Sequence, residues 1–235
     1  MTYSLVNAGS WFYFTLNLDF SSVFGYGFFT RKGPDLHDLQ VSNAFVSLFN
    51  LKRFVIMHQE HGDRINIVKD GENPMYGDAL VITEKRVAGI IKSADCVPII
   101  LLDPSKKIAA IIHTGYRGTL KRITEKTIGV MKDLGSDENQ INAIIGPSIG
   151  KCCYNIGEDV YESFRNEFRD ERLFTFRNER IYLDLKLSNV SMLMRQGVTK
   201  IYTIDLCTFC NTDTFYSYRR GDKEKRQINF VFIKE

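Results

Sequence analysis

The middle of the chain alternates between continuous apolar runs and short polar breaks. Residues 87–102 are apolar on both sides of the polar tetrapeptide at 93–96, and residues 108–112 form another apolar run that ends at His113. Short apolar runs without polar alternation are typical of strands buried on both faces. The pattern therefore predicts two short buried strands, or one strand with a break, around residues 93–96, and a further buried strand that ends at His113.

Helical periodicity follows in the second half of the chain. Apolar and small positions recur at intervals of three and four, and a glycine follows them as a C-terminal stop: Leu120, Ile123, Thr127, Val130, Leu134 and Gly135. Residues 157–168 predict a second helix, and Asp184 is a candidate N-cap for a third that ends at Gly197. Residues 141–145, 201–206 and 228–233 predict strands. We therefore expect an α+β fold of layered mixed β-sheets flanked by helices.

Composition narrows the function classes. The 235 residues are 44% hydrophobic and 25% charged, and no Pro- or Ser-rich linker divides them, so we expect a single domain over residues 1–235. A net charge of +3 without a basic stripe argues against nucleic acid. Neither a signal peptide nor an uncharged span is visible, so we expect a cytoplasmic protein with no membrane partner, and a monomer by default. The odd number of cysteines, five, disfavours a disulfide scaffold.

Three potential metal ligands lie where apolar runs end. His61 follows the apolar residues 54–57, Cys96 lies at the polar break, and His113 ends the next run. Two imidazoles and one thiolate suit zinc and, less specifically, copper, and three ligands leave a fourth position open for catalysis. Asp95 is a candidate for orienting a ligand. The alternatives are hydrogen-bonded histidines with a core cysteine, or a metal-free nucleophile Cys96 with His113 as its base.

Two further segments contain cysteines or a candidate anion site. Cys152 and Cys153 lie in a Gly- and Pro-rich turn before Tyr154, and adjacent cysteines are not expected to chelate one metal. Residues 207–210 form a CxxC, but a zinc ribbon needs a second pair, so core or loop cysteines are favoured there. The glycine-rich turn at 114–118 contains Arg117 and precedes a predicted helix, which favours either anion binding or a plain tight turn.

Taken together, these segments resemble the YfiH-like family, also called the laccase-domain family. The matching motifs are GFFTR at 27–31, QEHG at 59–62, ADCVP at 94–98, HTGYRG at 113–118, IGPSIGKCCY at 145–154, LDL at 183–185, CT at 207–208 and FYSYRR at 215–220. The resemblance implies that His61, Cys96 and His113 are metal ligands in an α+β fold. The chain departs from the family pattern at Tyr116, where Trp is usual, in a short segment at 33–57, and at residues 224–226.

Members of that family are described as polyphenol oxidases, peptidoglycan editing factors, and purine nucleoside phosphorylases with adenosine deaminase activity. Four histidines cannot build the several copper centres of a true laccase. We therefore expect a zinc-dependent purine nucleoside enzyme, with phosphate as co-substrate or water activated for deamination. The candidate substrate-binding residues are Arg31, Gln59, Arg117, Cys153, Tyr154 and Arg219. The alternatives are a copper-dependent polyphenol oxidoreductase, a metal-free cysteine hydrolase and a non-catalytic binding module.

Overall fold

The computed structural model describes residues 3–68 and 75–234, which contain more strand than helix. The strands are β1 (Tyr3–Ala8), β2 (Trp11–Leu16), β3 (Phe24–Phe29), β4 (Arg53–His58), β5 (Ile65–Ile67), β6 (Met75–Tyr76), β7 (Ala79–Ile82), β8 (Val87–Ser93), β9 (Val97–Asp103), β10 (Ile108–Thr114), β11 (Asn142–Ile145), β12 (Asn155–Ile156), β13 (Phe174–Arg177), β14 (Arg180–Leu183), β15 (Lys200–Thr203) and β16 (Gln227–Ile233). The helices are α1 (Leu39–Leu48), α2 (Tyr116–Leu120), α3 (Ile123–Asp133), α4 (Glu158–Phe168) and α5 (Leu185–Arg195). Within the described ranges, no helix has the length and apolar character needed to cross a membrane.

Two large mixed sheets pack face to face. In the described residues, one sheet has the strand order β1-β2-β3-β16-β8-β4-β6, the other has the order β15-β11-β9-β10-β7-β5, and β12-β14-β13 form a small third sheet. Helix α1 covers the outer face of the first sheet through Phe45, while α3, α4 and α5 cover the outer face of the second. The layered α+β architecture predicted from the sequence is therefore confirmed.

The apolar runs belong to strands that are buried on both faces. In β10, Ala109 and Ile111 enter the core between the two sheets, whereas Ala110 and Ile112 enter the core beneath the helices. Successive side chains of a strand point to opposite faces, so a strand with a hydrophobic layer on each side needs apolar residues at every position. The strands predicted around residues 93–96 and before His113 are confirmed as β8, β9 and β10.

The structure differs from the predicted helices and strands in three places. The helix predicted from Leu120 to Leu134 is split into α2 and α3, because Arg122 adopts a left-handed φ of 60° that ends the first helix. The strand predicted over 201–206 ends at Thr203. Strands β1 to β3 and helix α1 were not predicted. Most residues of β1 are exposed, only Phe45 of α1 is buried, and two glycines interrupt the apolar run of β3.

The polar break at 93–96 connects the two large sheets. Strand β8 pairs with β4 and β16 in one sheet, and β9 pairs with β10 and β11 in the other. The chain therefore crosses from sheet to sheet at the end of the sandwich where β8 ends and β9 begins. Strand β4 runs parallel to β8, so the loop that contains His61 leaves at the same end. The end of β10 pairs with the start of β9, which brings His113 there too.

Candidate metal centre and active site

His61, Cys96 and His113 meet at this end of the sandwich. One donor atom of each residue, a ring nitrogen or Sγ, lies within 4.8 Å of the donors of the other two. The two imidazole rings are perpendicular, with centroids 4.9 Å apart and an interplanar angle of 85°. Donors bound to one tetrahedral zinc ion would lie about 3.4–3.6 Å apart. Small side-chain rotations therefore place all three donors around one ion, so the residues present fit a metal.

The backbone around these donors is shaped for close approach. His61 has a left-handed φ of 56°, and Asp95, which precedes Cys96, has a φ of 88°. Such values are uncommon for residues with a side chain and concentrate at functional sites. A Cβ atom at Gly115 would lie 2.9 Å from the Cys96 Sγ, so only glycine at this position leaves the sulfur its room.

Asp78 fixes the orientation of His113. Its fully buried carboxylate lies 2.8 Å from Nδ1 of His113 and accepts a hydrogen bond of 2.7 Å from the backbone N–H of Gly62. Burial by itself would raise the pKa of Asp78, but hydrogen bonds from His113 and from backbone N–H groups hold it below its usual value. A carboxylate at Nδ1 keeps the proton there, which leaves the lone pair of Nε2 for an ion.

Sequence reasoning missed Asp78 and assigned its role to Asp95. The only sequence signal is that Asp78 immediately precedes the apolar strand β7. Asp95 instead accepts hydrogen bonds from Thr208 at 2.7 Å, from Ser217 at 3.0 Å and from the backbone N–H of Arg219 at 2.7 Å. These bonds connect the loops that contain Thr208 and Ser217 to the segment that contains Cys96. None of them joins Asp95 to the imidazole of a proposed ligand.

Cys96 and His113 are electrostatically coupled. Burial by itself would raise the pKa of the Cys96 thiol, but the charge and hydrogen bonds of His113 and His61 outweigh it and lower the pKa to about 6. Burial would likewise lower the pKa of His113, yet the thiolate and Asp78 raise it to about 9. Cys96 is therefore a thiolate at neutral pH, the form that both ligates metals and attacks as a nucleophile.

The three donors open onto a cavity of about 960 Å³, at the upper end of the size range of small-molecule sites. The lining includes four residues that the sequence predicted to bind substrate: Gln59, Arg117, Tyr154 and Arg219. It also includes Tyr116, the residue before Arg117. The Arg117 guanidinium lies 5.2 Å from the centre of the Tyr116 ring, and that of Arg219 lies 5.3 Å from the centre of the Tyr154 ring. The cavity wall thus offers flat apolar faces next to positive charge.

The remaining predicted substrate residues lie in different settings. The side-chain amide of Gln59 donates to the carbonyl of Lys92 and accepts from its N–H, at 2.7 Å each. Both its polar groups are therefore engaged, which leaves Gln59 a positioning role beside His61. Arg31 lines a neighbouring cavity of about 360 Å³, where it lies 4.9 Å from the Tyr216 ring centre. Cys153 lies in a separate cysteine cluster, with its Sγ 3.3 Å from that of Cys210.

The fold and this site define a class: layered α+β proteins that present a His/Cys/His set at one end of a two-sheet sandwich. The family model described as multi-copper polyphenol oxidoreductase laccase matches residues 40–234. The chain belongs to this family, and the resemblance to YfiH-like proteins is confirmed.

Relatives with known names and structures agree with this assignment. The purine nucleoside phosphorylase of Aquifex aeolicus is 34% identical over 176 residues, which cover 74% of this chain and 80% of that protein. Adenosine deaminase RL5, from an unknown prokaryotic organism, is 30% identical over 213 residues, 84% of this chain and 81% of the relative. The crystal structure of the Bacillus licheniformis hypothetical protein YfiH superposes with a TM-score of 0.84 at 27% identity, over 99% of both chains. The family and the His/Cys/His set together indicate a metal site in an enzyme of this kind.

Proposed function

We propose that this protein is a zinc-dependent purine nucleoside enzyme, which cleaves the glycosidic bond of adenosine, inosine or guanosine with phosphate, deaminates adenosine, or does both. The observation that carries the proposal is the placement of His61, Cys96 and His113 at the surface of a cavity walled by aromatic rings and guanidinium groups. The names of the Aquifex aeolicus and RL5 relatives support the same substrate class.

The protein's own groups divide the work. When bound by His61, Cys96 and His113, zinc would supply Lewis acidity that activates water or polarises an oxygen. Asp78 keeps one proton of His113 on Nδ1, and Cys96 is already a thiolate at neutral pH. The pKa of His113 is raised to about 9, so its imidazolium has to release the proton on Nε2 when that nitrogen binds the ion. We assign the rings of Tyr116 and Tyr154 to stacking on the purine.

We assign phosphate to the cationic side of the cavity. Arg117 and Arg219 both line it, and a guanidinium matches the geometry of a phosphate with two parallel hydrogen bonds. Helix α2, which follows the glycine-rich turn, is only five residues long, so the full charge of Arg117 rather than a helix dipole carries this role. Arg219 is already held by Asn155, at 2.7 Å to its carbonyl and 2.6 Å to Oδ1, and so approaches the substrate preorganised.

The laccase function is disfavoured by the ligands that the fold brings together. Within residues 3–68 and 75–234, the potential ligand groups are His61 with Cys96 and His113, and a set of four cysteines. All four histidines of the chain lie in these ranges, and two of them, His37 and His58, are outside both groups. A blue-copper centre with a trinuclear cluster needs many more imidazoles.

A metal-free cysteine hydrolase is the second candidate, because one observation favours it. The lowered pKa of Cys96 and the raised pKa of His113 describe a thiolate–imidazolium pair, which is also the resting state of cysteine hydrolases. Metal dependence separates the two functions. Stripping the metal would abolish nucleoside turnover in our proposal and leave a thiol hydrolase active.

The test is elemental analysis of the purified protein followed by assays of adenosine, inosine and guanosine, each with and without phosphate. We expect bound zinc, and release of free base that requires phosphate, or release of ammonia from adenosine. Cys96→Ser should lose turnover together with the zinc bound at this site. The control variant His58→Ala removes a histidine outside the donor set and should keep its zinc. Full turnover after chelation, or no turnover of any nucleoside by the zinc-loaded protein, would refute the proposal.

The phosphate assignment has its own test. Arg117→Ala should raise the KM for phosphate by about 10-fold or more, because a hydrogen bond to a charged group contributes about 1.5–3 kcal/mol. Arg172→Ala is the matched control, since Arg172 is exposed and paired with Asp170, away from the cavity. An unchanged phosphate KM in Arg117→Ala would remove this residue from the site.

A further inference from the structure

The four cysteines outside the His/Cys/His set form a cluster of their own. Cys152 and Cys153 come from the turn after β11, and Cys207 and Cys210 come from the loop after β15. All four Sγ atoms lie within 4.8 Å of one another. The sequence suggests no such site, because it offers one weak CxxC and one adjacent pair. The fold supplies the missing second pair.

We propose that this four-cysteine cluster is a second metal site, which binds a thiophilic divalent cation, zinc above all, through four thiolates. Four sulfurs around one tetrahedral zinc ion would be about 3.8 Å apart, given Zn–S bonds of about 2.3 Å. The distance from the Cys210 Sγ is 3.7 Å to that of Cys152 and 3.3 Å to that of Cys153. The cluster is therefore close to the size of a four-thiolate site. Two sulfurs on neighbouring residues can both take part because the Gly150–Tyr154 turn bends the backbone there.

The backbone holds the two segments together independently of any ion. Ser148 and Cys207 form an isolated parallel bridge, in which the N–H of Thr208 donates to the carbonyl of Ser148 at 3.0 Å. The N–H of Gly150 donates to the Sγ of Cys207 at 3.2 Å. Backbone donors of this kind orient and stabilise a ligating sulfur. The cluster is thus preorganised, which lowers the entropy lost when an ion is bound.

The number of sulfurs makes this site different in kind from the first. Four protein ligands saturate a tetrahedral ion, and a saturated zinc site is structural rather than catalytic. Cys152 and Cys210 are exposed, so an ion can enter from solvent. A metal ion bound here would hold together two segments that support the wall of the cavity. One segment continues directly into Tyr154, and the other contains Thr208, which donates to Asp95 beside Cys96.

This inference does not depend on the proposed function, and Cys96→Ser allows it to be tested alone. Each of the five cysteines belongs to one of the two sites, so Cys96→Ser and Cys207→Ser make the same chemical change in different sites. Purified under reducing conditions with zinc, the Cys96→Ser protein should retain one equivalent of metal. The Cys96→Ser/Cys207→Ser protein should retain none, and chelation should lower the melting temperature of the first protein but not of the second.

A second measurement covers the possibility that Cys207→Ser does not fold. Cobalt(II) added to metal-stripped Cys96→Ser protein should produce the intense sulfur-to-cobalt charge-transfer absorption and the red d–d bands of a tetrahedral four-thiolate complex. The proposal is overturned if Cys96→Ser binds neither zinc nor cobalt stoichiometrically. It is equally overturned if mass spectrometry of the freshly reduced and desalted protein finds Cys153 and Cys210 joined as a disulfide under conditions in which metal is available.

Discussion

The two sulfur-containing clusters of this protein differ in donor set, burial and support. The first combines two imidazoles with one thiolate, includes the buried His113, and opens onto a cavity of about 960 Å³. The second consists of four cysteines, two of them exposed, at the junction of two loops. Asp78 supports the first with a buried carboxylate, whereas the N–H of Gly150 supports the second.

The difference shows how donor count and surroundings set the role of a site. Three donors would leave a tetrahedral ion one free position, and the side chains that would supply these donors line a cavity of the size of a small-molecule site. Four donors leave none, so an ion in the cysteine cluster can only join the segments that bind it. We therefore expect changes in the first site to act on turnover and changes in the second to act on stability.

The largest effect should come from His113→Ala. It removes a proposed ligand and leaves the buried Asp78 carboxylate without its partner. Turnover should therefore fall to background, and the free energy of unfolding should fall by about 3–5 kcal/mol. Denaturant unfolding and metal analysis measure both effects. The four-cysteine cluster should still bind its equivalent of metal in this variant. Loss of all metal would mean that the two sites do not fill independently.

Asp78→Asn should have the next largest effect. The amide retains the shape of the carboxylate but not its charge, so His113 is held in the correct tautomer less strongly and metal affinity should fall about 10–100-fold. Competition with a chelating dye measures the affinity. Asp95→Asn is the informative control, because Asp95 supports loops rather than a ligand and should change stability more than affinity. Equal losses of affinity in both variants would contradict the separate roles assigned here.

Gly115→Ala should disturb the first site sterically. The added Cβ would lie 2.9 Å from the Cys96 Sγ, and crowding of this kind in a packed site costs about 1–3 kcal/mol. The backbone φ of −86° suits alanine, so the cost arises from the contact with sulfur rather than from the turn. We expect weaker zinc binding, lower kcat and a melting temperature of the metal-free protein lowered by several degrees, because the contact with sulfur is present without metal. A variant with native zinc affinity would show that the sulfur has room to move.

Gly150→Ala should have the smallest effect. Its Cβ would lie 3.1 Å from the Cys152 Sγ, but this cysteine is exposed and can rotate away without displacing packed neighbours. We expect a modest loss of melting temperature in the metal-loaded protein and unchanged kcat. The comparison with Gly115→Ala is direct, since each glycine abuts one sulfur cluster. If Gly150→Ala reduced turnover as strongly as Gly115→Ala, the cysteine cluster would belong to the catalytic machinery.

Much of the fold was predictable because burial on both faces has a strong sequence signal. Strands β8, β9 and β10 were predicted from their uninterrupted apolar runs, and Asp184 was correctly identified as an N-cap, accepting from the N–H of Leu187 at 2.9 Å. The break at Arg122 was not predictable, because a left-handed arginine is stabilised by its surroundings rather than by local preference. Leu134, predicted to be part of a helix face, is 38% exposed.

The candidate site was predictable in its three donors and in part of its cavity wall, but not in the group that orients His113. His61, Cys96 and His113 could be selected because they end apolar strands, and the chemistry of imidazole and thiolate limits the metals they suit. The partner of His113 could not be selected. Asp78 is one of many carboxylates, and only the antiparallel pairing of β7 with β10, which places the end of β10 beside the start of β7, brings it to Nδ1.

The sequence by itself determined that β8, β9 and β10 are buried on both faces and which residue types are available for chemistry, because hydrophobic pattern and donor identity are local properties. The tertiary structure alone decided which donors meet. Cys152 and Cys153 are distant along the chain from Cys207 and Cys210, and the parallel bridge between Ser148 and Cys207 makes them neighbours. Coordination depends on distances of a few ångström between side chains, and those distances arise from strand pairing and sheet packing across the whole molecule.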